Sequence, residues 1–256
     1  MAVCSPMERM IVVAARQLED GASVGVGTGA PCAAAMLAKR THAPNLLVLF
    51  EAGGIHPELQ RMPISVGDSR THYRGAKAGS MGDVMELCAR GMVDYAFLGG
   101  AQIDAFGNLN STLIGKDHER PSVRFPGSGG ANDYASYCRR TIVMTVHDKR
   151  RFVSDLDFVT SPGWLTGGDS RQRVGLPQDT GPYRVVTDLA LMGYSDSEHR
   201  MCVISLHSGV EKKQILENTG FDLDWPEPVP TTPEPSDAEL VLLRSEIDPD
   251  GLFIGR

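Results

Sequence analysis

The chain has 256 residues, 41% of them hydrophobic and 22% charged, with a formal net charge of -7, which is enough to bury a sizeable core. Its acidic balance, without any basic stripe, excludes a surface built for a phosphate backbone, so no nucleic-acid partner is expected. No run approaches the roughly 18 uninterrupted apolar residues of a membrane span, and the first ten residues match neither a secretory leader nor a transit peptide, so a cytoplasmic protein is expected.

Ser5-Pro6-Met7-Glu8 supplies a capping residue, a proline at the first helical position and a glutamate three residues after the cap, which predicts a helix start. Ala22 to Val26 is short and β-leaning; it enters the glycine-rich turn Gly25 to Ala30 and is followed by the alanine-rich run Cys32 to Lys39. Strand, glycine turn, helix is the expected order. Asn45 to Glu51 is a continuous apolar run ending in a carboxylate, as a strand buried on both faces of a parallel sheet requires, and Gly53-Gly54 then end it. A helical stretch at Asp83 to Arg90 leads to the strand Val93 to Leu98 and Gly99-Gly100, and further strands are expected at Thr141 to Val146 and Met201 to Leu206. Strands alternating with helices predict an α/β fold with an open, mostly parallel sheet flanked by helices, here as one domain over residues 1–256. Trp225 to Pro235 holds five prolines among eleven residues and predicts an extended arm. Ser236 to Glu246 resumes helical periodicity.

Five cysteines, widely spaced and without a C-x-x-C pair, read as reduced thiols. The seven histidines are scattered without ligand spacing, so no metal site is expected.

Four segments can carry chemistry. Gly25-Val-Gly27-Thr-Gly29-Ala30 matches the G-x-G-x-x-A dinucleotide fingerprint, with Glu51 about twenty residues on. Such a turn brings backbone amides and a helix N-terminus to any phosphate-bearing ligand, so a CoA-type ligand, a dinucleotide and a plain tight turn all fit. Glu51 itself stands at a strand end, where open α/β sheets do their chemistry, followed by the small residues Ala52-Gly53-Gly54. Phe125-Pro-Gly-Ser128-Gly129-Gly130-Ala131-Asn-Asp offers a row of backbone N–H groups before a helix start, a pattern that suits an oxyanion; it lacks the G-x-S-x-G turn of a serine nucleophile. Gly99 to Asn110 is a long loop carrying Gln102, Asn108 and Asn110, and such loops on a rigid sheet commonly hold ligands.

Together these segments resemble one family. Glu51-Ala-Gly, Gly-Gly-Ala-Gln-Ile-Asp-x-x-Gly-Asn-x-Asn at 99–110, Arg124-Phe-x-Gly-Ser-Gly-Gly-Ala-Asn, Lys149-Arg-Arg-Phe, Thr160-Ser-Pro-Gly-Trp164 and Glu217-Asn-Thr-Gly-Phe-Asp-Leu223 look like the β-type subunit of class I CoA-transferases of the glutaconate type. The match covers almost the whole chain. The resemblance implies a CoA-transferase fold, an active site completed by an α subunit, and CoA as a substrate with no tightly bound cofactor. It implies that Glu51 attacks the thioester, that amides of Gly129, Gly130 and Ala131 meet the oxyanion, and that Gly27, Gly29, Gln102, Asn108 and Asn110 contact CoA or substrate. Ala52 stands where the family has serine. Relatives of this fold include CoA-thioester hydrolases and decarboxylases, which remain alternative activities, as does a nicotinamide-dependent oxidoreductase resting on Gly25 to Ala30 and Glu51.

Overall fold

The computed structural model describes residues 4–255, and its first helix, α1 (Pro6–Ala15), starts as the sequence predicts. The Ser5 side chain accepts from the Glu8 N–H at 3.2 Å while Glu8 reaches back to the Ser5 N–H at 2.8 Å, a reciprocal cap that satisfies two donors with no partner inside the helix. The chain packs as two compact units, Met1–Phe97 with Pro233–Arg256, and Leu98–Thr232.

In the first unit, β1 (Ser23–Val26), α2 (Ala30–Arg40), β2 (Leu47–Phe50), β3 (Gly54–Ile55), β4 (Lys77–Ala78), α3 (Met81–Ala89) and β5 (Tyr95–Leu98, whose last residue opens the second unit) follow in order. The strands lie side by side as β5-β1-β2-β3-β4. β1 is parallel to both β5 and β2, while β3 and β4 add antiparallel edges. β1 and β5 are buried along their length, hence their apolar composition. α1 packs on α2, whose residues Ala33 to Ala38 are all buried; five small or flexible side chains let the two helices approach closely.

The C-terminal helix Asp237–Leu242, capped by Ser236 and continued by a wider turn over Leu243–Ile247, docks through two ion pairs. Arg16 holds Glu239 at 2.7 Å, and Arg244 donates to both oxygens of the buried Glu8 at 2.5 and 2.7 Å. The Arg244 guanidinium keeps the Glu8 carboxyl below the usual carboxylate range.

The second unit contains β6 (Gln102–Ile103) paired with β7 (Leu109–Asn110), β8 (Leu113–Ile114) paired with β9 (Val123–Arg124), α4 (Ala131–Tyr137), β10 (Arg140–Met144), α5 (Ser170–Arg173), β11 (Pro182–Val186), β12 (Ala190–Tyr194), β13 (Met201–Leu206) and α6 (Lys212–Glu217). β10 and β11 are parallel, and β11, β12 and β13 continue as antiparallel neighbours. The proline-rich arm runs beside β13: the Val203 N–H donates to Asp224 O, Leu206 N–H to Pro230 O and Thr232 N–H to Leu206 O, at 2.8 to 3.0 Å. Cys32, Cys88 and Cys138 are buried as free thiols, and burial pushes Cys32 up to about 12, which makes it unreactive.

His147 ties three segments of this unit together. Its ring stacks on Phe152 with centroids 4.1 Å apart, and its nitrogens lie 3.0 Å from Thr219 Oγ1 and 3.3 Å from Thr187 Oγ1. Burial pushes it down to about 4, against the opposing pull of Asp188 and Asp148. Below its unfolded value of roughly 6.5 the unfolded chain binds a proton that the folded chain refuses, so stability present above that pH is lost as pH falls toward 4. Urea denaturation at pH 7 and pH 4.5 should show about 2–3 kcal/mol of acid destabilisation that His147→Gln removes.

Candidate active site

Glu51 directly follows β2, and Gly27 directly follows β1. The two strands run parallel with Val26 opposite Phe50, so both residues emerge from the same carboxyl edge of neighbouring strands, where open α/β sheets place their ligands. Gly29, with φ +88, caps α2, and Gly27 has open space where a Cβ would stand. The start of α2 is thus open at Gly27, while the Phe253 ring lies 3.8 Å from where a Cβ on Gly29 would stand.

Backbone packing fixes the turn that carries Glu51. The Gly53 N–H donates to Phe50 O at 2.9 Å, and Gly79 N–H to Gly53 O at 2.9 Å. Gly53 has φ +113, and a Cβ there would collide with Gly79 O; a Cβ on Gly54 would collide with Thr71 O. The two glycines after Glu51-Ala52 are thus required by close backbone approach, and Glu51 is half-buried on a turn with little freedom.

The second unit holds the glycine-rich run. Phe125 N–H donates to Thr112 O and Gly127 N–H to Ser111 O, while Ser111 Oγ donates to Gly127 O, at 2.9 to 3.1 Å. Gly129 adopts φ +50 and Gly130 φ -79 with ψ 0, an alternation of hand that turns successive N–H groups toward a common point. The Ala131 N–H donates to Ser128 O at 2.9 Å. The exposed Gly129 makes no described backbone hydrogen bond through its N–H.

α4, which follows this run, is gripped at its far end by Arg171. This residue is 2% exposed. It donates to Ala135 O and Ser136 O at 3.1 Å, to Pro162 O at 3.2 Å and Gly163 O at 2.7 Å, and to Thr180 Oγ1 at 3.0 Å. Burial lowers the guanidinium to about 10, so it stays charged at neutral pH, its charge met by carbonyl dipoles.

Gln102, Asn108 and Asn110 are buried with their amides engaged inside the protein. Asn110 donates to Gln102 Oε1 and Leu113 O at 2.7 Å and accepts from Thr112 N–H; Gln102 donates to Asp157 Oδ2 at 2.8 Å. Asn108 donates to Asp104 Oδ2 and Leu165 O at 2.8 Å and accepts from the N–H groups of Gly163 and Leu165. These bonds form an internal network that ties the 99–110 loop to residues 157–165.

A cavity of about 610 Å³ opens in this unit, lined among others by Gly99, Gly100, Ser111, Gly127, Arg150 and Arg151, a size suited to a small-molecule ligand. Sequence reasoning missed its two arginines, although Lys149-Arg-Arg-Phe stood out as a segment. Among the described residues, no group of three or more His, Cys, Asp or Glu side chains is placed to hold a metal ion, and no helix is long and apolar enough to cross a membrane.

The family model described as Coenzyme A transferase matches residues 7–218. The chain is 41% identical to the B-type subunit of glutaconate CoA-transferase of Acidaminococcus fermentans over 96% of this chain and 94% of that one. It is 38% identical to the B-type subunit of 3-oxoadipate CoA-transferase of Pseudomonas knackmussii, again over 96% and 94%. The crystal structure of glutaconate coenzyme A-transferase from Acidaminococcus fermentans superposes with a TM-score of 0.93 at 39% identity, over 98% of both chains. These matches decide against the nicotinamide-dependent oxidoreductase that the turn at Gly25 to Ala30 also allowed. With a family match spanning both units and relatives alike over nearly their whole length, the chain belongs to the coenzyme A transferase family.

Proposed function

We propose that this chain is one subunit of a two-subunit enzyme that moves CoA between an acyl-CoA thioester and a free carboxylic acid, with Glu51 as the nucleophile. The observation that carries this reading is Glu51 itself, a carboxylate on a backbone-locked turn at the carboxyl edge of β2, beside the end of β1. A carboxylate so placed does covalent chemistry in four balanced steps. It attacks the thioester carbonyl, giving an acyl-glutamyl anhydride and CoA thiolate. The thiolate attacks the glutamyl carbonyl, giving glutamyl-CoA and releasing the first acid. The acceptor carboxylate then attacks glutamyl-CoA, re-forming an anhydride and thiolate. Attack of that thiolate on the new acyl carbonyl gives the product thioester and frees Glu51.

Each attack builds negative charge on a carbonyl oxygen, and the amides of Gly129 and Gly130 are the donors we assign to it. Gly27 and Gly29, at the start of α2, are assigned to the CoA phosphates. Gln102, Asn108 and Asn110 are assigned to the scaffold, since their amides are engaged internally. The names of the two bacterial relatives support an α-type partner, and the acids in those names each carry two carboxyl groups, which favours a dicarboxylic acyl group here. Free cysteines support a reducing, cytoplasmic location.

The experiment is to purify the chain with its partner subunit, incubate the complex with acyl-CoA, and digest it for mass spectrometry. A CoA adduct on the peptide containing Glu51 is expected. An adduct elsewhere, or thioester loss that does not depend on an acceptor acid, would falsify the transferase reading.

A further inference from the structure

The segment Asp148-Lys149-Arg150-Arg151 brings three cations to one acid, and its backbone is fixed from both sides. Ile103 N–H donates to Arg151 O at 2.7 Å and Val153 N–H to Ile103 O at 3.0 Å. The next residue, Phe152, is fully buried against His147. Two guanidiniums therefore stand on a rigid base at the wall of the 610 Å³ cavity. Arg151 Nη1 donates to Gly100 O at 3.3 Å, and its Nε lies 3.4 Å from Asp148 Oδ2; Arg150 Nε lies 3.7 Å from Asp148 Oδ1. One carboxylate serves two arginines, so the charged groups lining the cavity keep one net positive charge. Gly99 and Gly127 leave open space where side chains would stand. Gly127 also begins the glycine-rich run two residues before Gly129, so the cavity adjoins the oxyanion segment.

Building on the transferase reading, we propose that Arg150 and Arg151 form the anion subsite that takes the free carboxylate at the far end of a dicarboxylic acyl group. A guanidinium presents paired donors that match a carboxylate, and the single uncompensated charge matches a group of charge -1 better than a phosphate. The site thereby selects dicarboxylic acyl groups over monocarboxylic ones of the same chain length.

The test uses the two-subunit complex with glutaryl-CoA and butyryl-CoA as donors, reading kcat/KM as thioester consumed. For Arg151→Gln, the ratio of glutaryl-CoA to butyryl-CoA should fall on the order of 10- to 100-fold, as for loss of a hydrogen bond to a charged group. Arg151→Lys, which keeps the charge without the fork, should fall between. Arg150→Gln gives an independent reading if Arg151 variants do not assemble, because its side chain is 93% exposed and supports no packing. Equal losses on both thioesters would assign the arginines to the phosphates of the shared CoA or to the scaffold, and no loss on either thioester would give them no role; either overturns the proposal. Consumption is counted whether the acyl group is transferred or hydrolysed, so a failure of the Glu51 adduct experiment remains separate from this result.

Discussion

Glu51→Ala should lower CoA transfer by roughly 10⁴-fold or more while the variant still folds and joins its partner subunit. The expectation follows from the division of labour at the end of β2. The turn is formed by the Phe50 carbonyl with the Gly53 N–H and by backbone packing of Gly53 and Gly54 against Gly79 and Thr71, none of which needs the reactive carboxylate. The proposed chemistry places that carboxylate in every covalent intermediate. Glu51→Asp should be badly impaired as well, because one fewer methylene withdraws the attacking oxygen by roughly 1.5 Å from a reactive geometry. Exchange of label between a free acid and its thioester measures both variants. Full exchange in Glu51→Ala would end the assignment.

The largest stability effect is expected at Arg171. Replacing it with Met leaves four carbonyls and the Thr180 hydroxyl without their arginine donor, at a cost of about 3–5 kcal/mol. The charge also sits at the closing turn of α4, where the unmatched carbonyls favour a cation. Arg171→Lys should recover only part of the loss, since one ammonium cannot reach acceptors on three separate segments. Denaturation midpoints for the three proteins give the order wild type, Lys, Met; a Met variant as stable as wild type would contradict it.

Continuous apolar or β-branched runs made four of the strands legible, though not the five-residue β11 and β12. Met201 to Leu206 forms β13 over the same residues, and Asn45 to Glu51, Val93 to Leu98 and Thr141 to Val146 each contain or overlap a strand. The Ser5 cap was legible because its reciprocal hydrogen bonds are local. The two-residue strands β3, β4 and β6 to β9 were not, because alternation cannot register in so few residues; their pairing is set by what lies across from them. The internal hydrogen bonds of the polar loop at 99–110 were not legible either, for a related reason. Gln, Asn and Asp side chains look alike whether they serve a ligand or the chain itself, and only the folded positions of Asp157 and Leu165 decide. Arg171 gave no signal at all in Asp169-Ser-Arg-Gln-Arg173: its acceptors come from residues 135–136, 162–163 and 180, which only the fold assembles.

The arm along β13 has one more consequence. A strand with open N–H and C=O groups is a template on which another chain can grow. Here Asp224, Pro230 and Thr232 meet the outer hydrogen-bonding groups of Val203 and Leu206, and the covering segment carries prolines at 226, 228 and 230. A proline has no N–H to offer a further strand. The chain thus terminates its own sheet with a segment that cannot be extended, a safeguard against aggregation at this border.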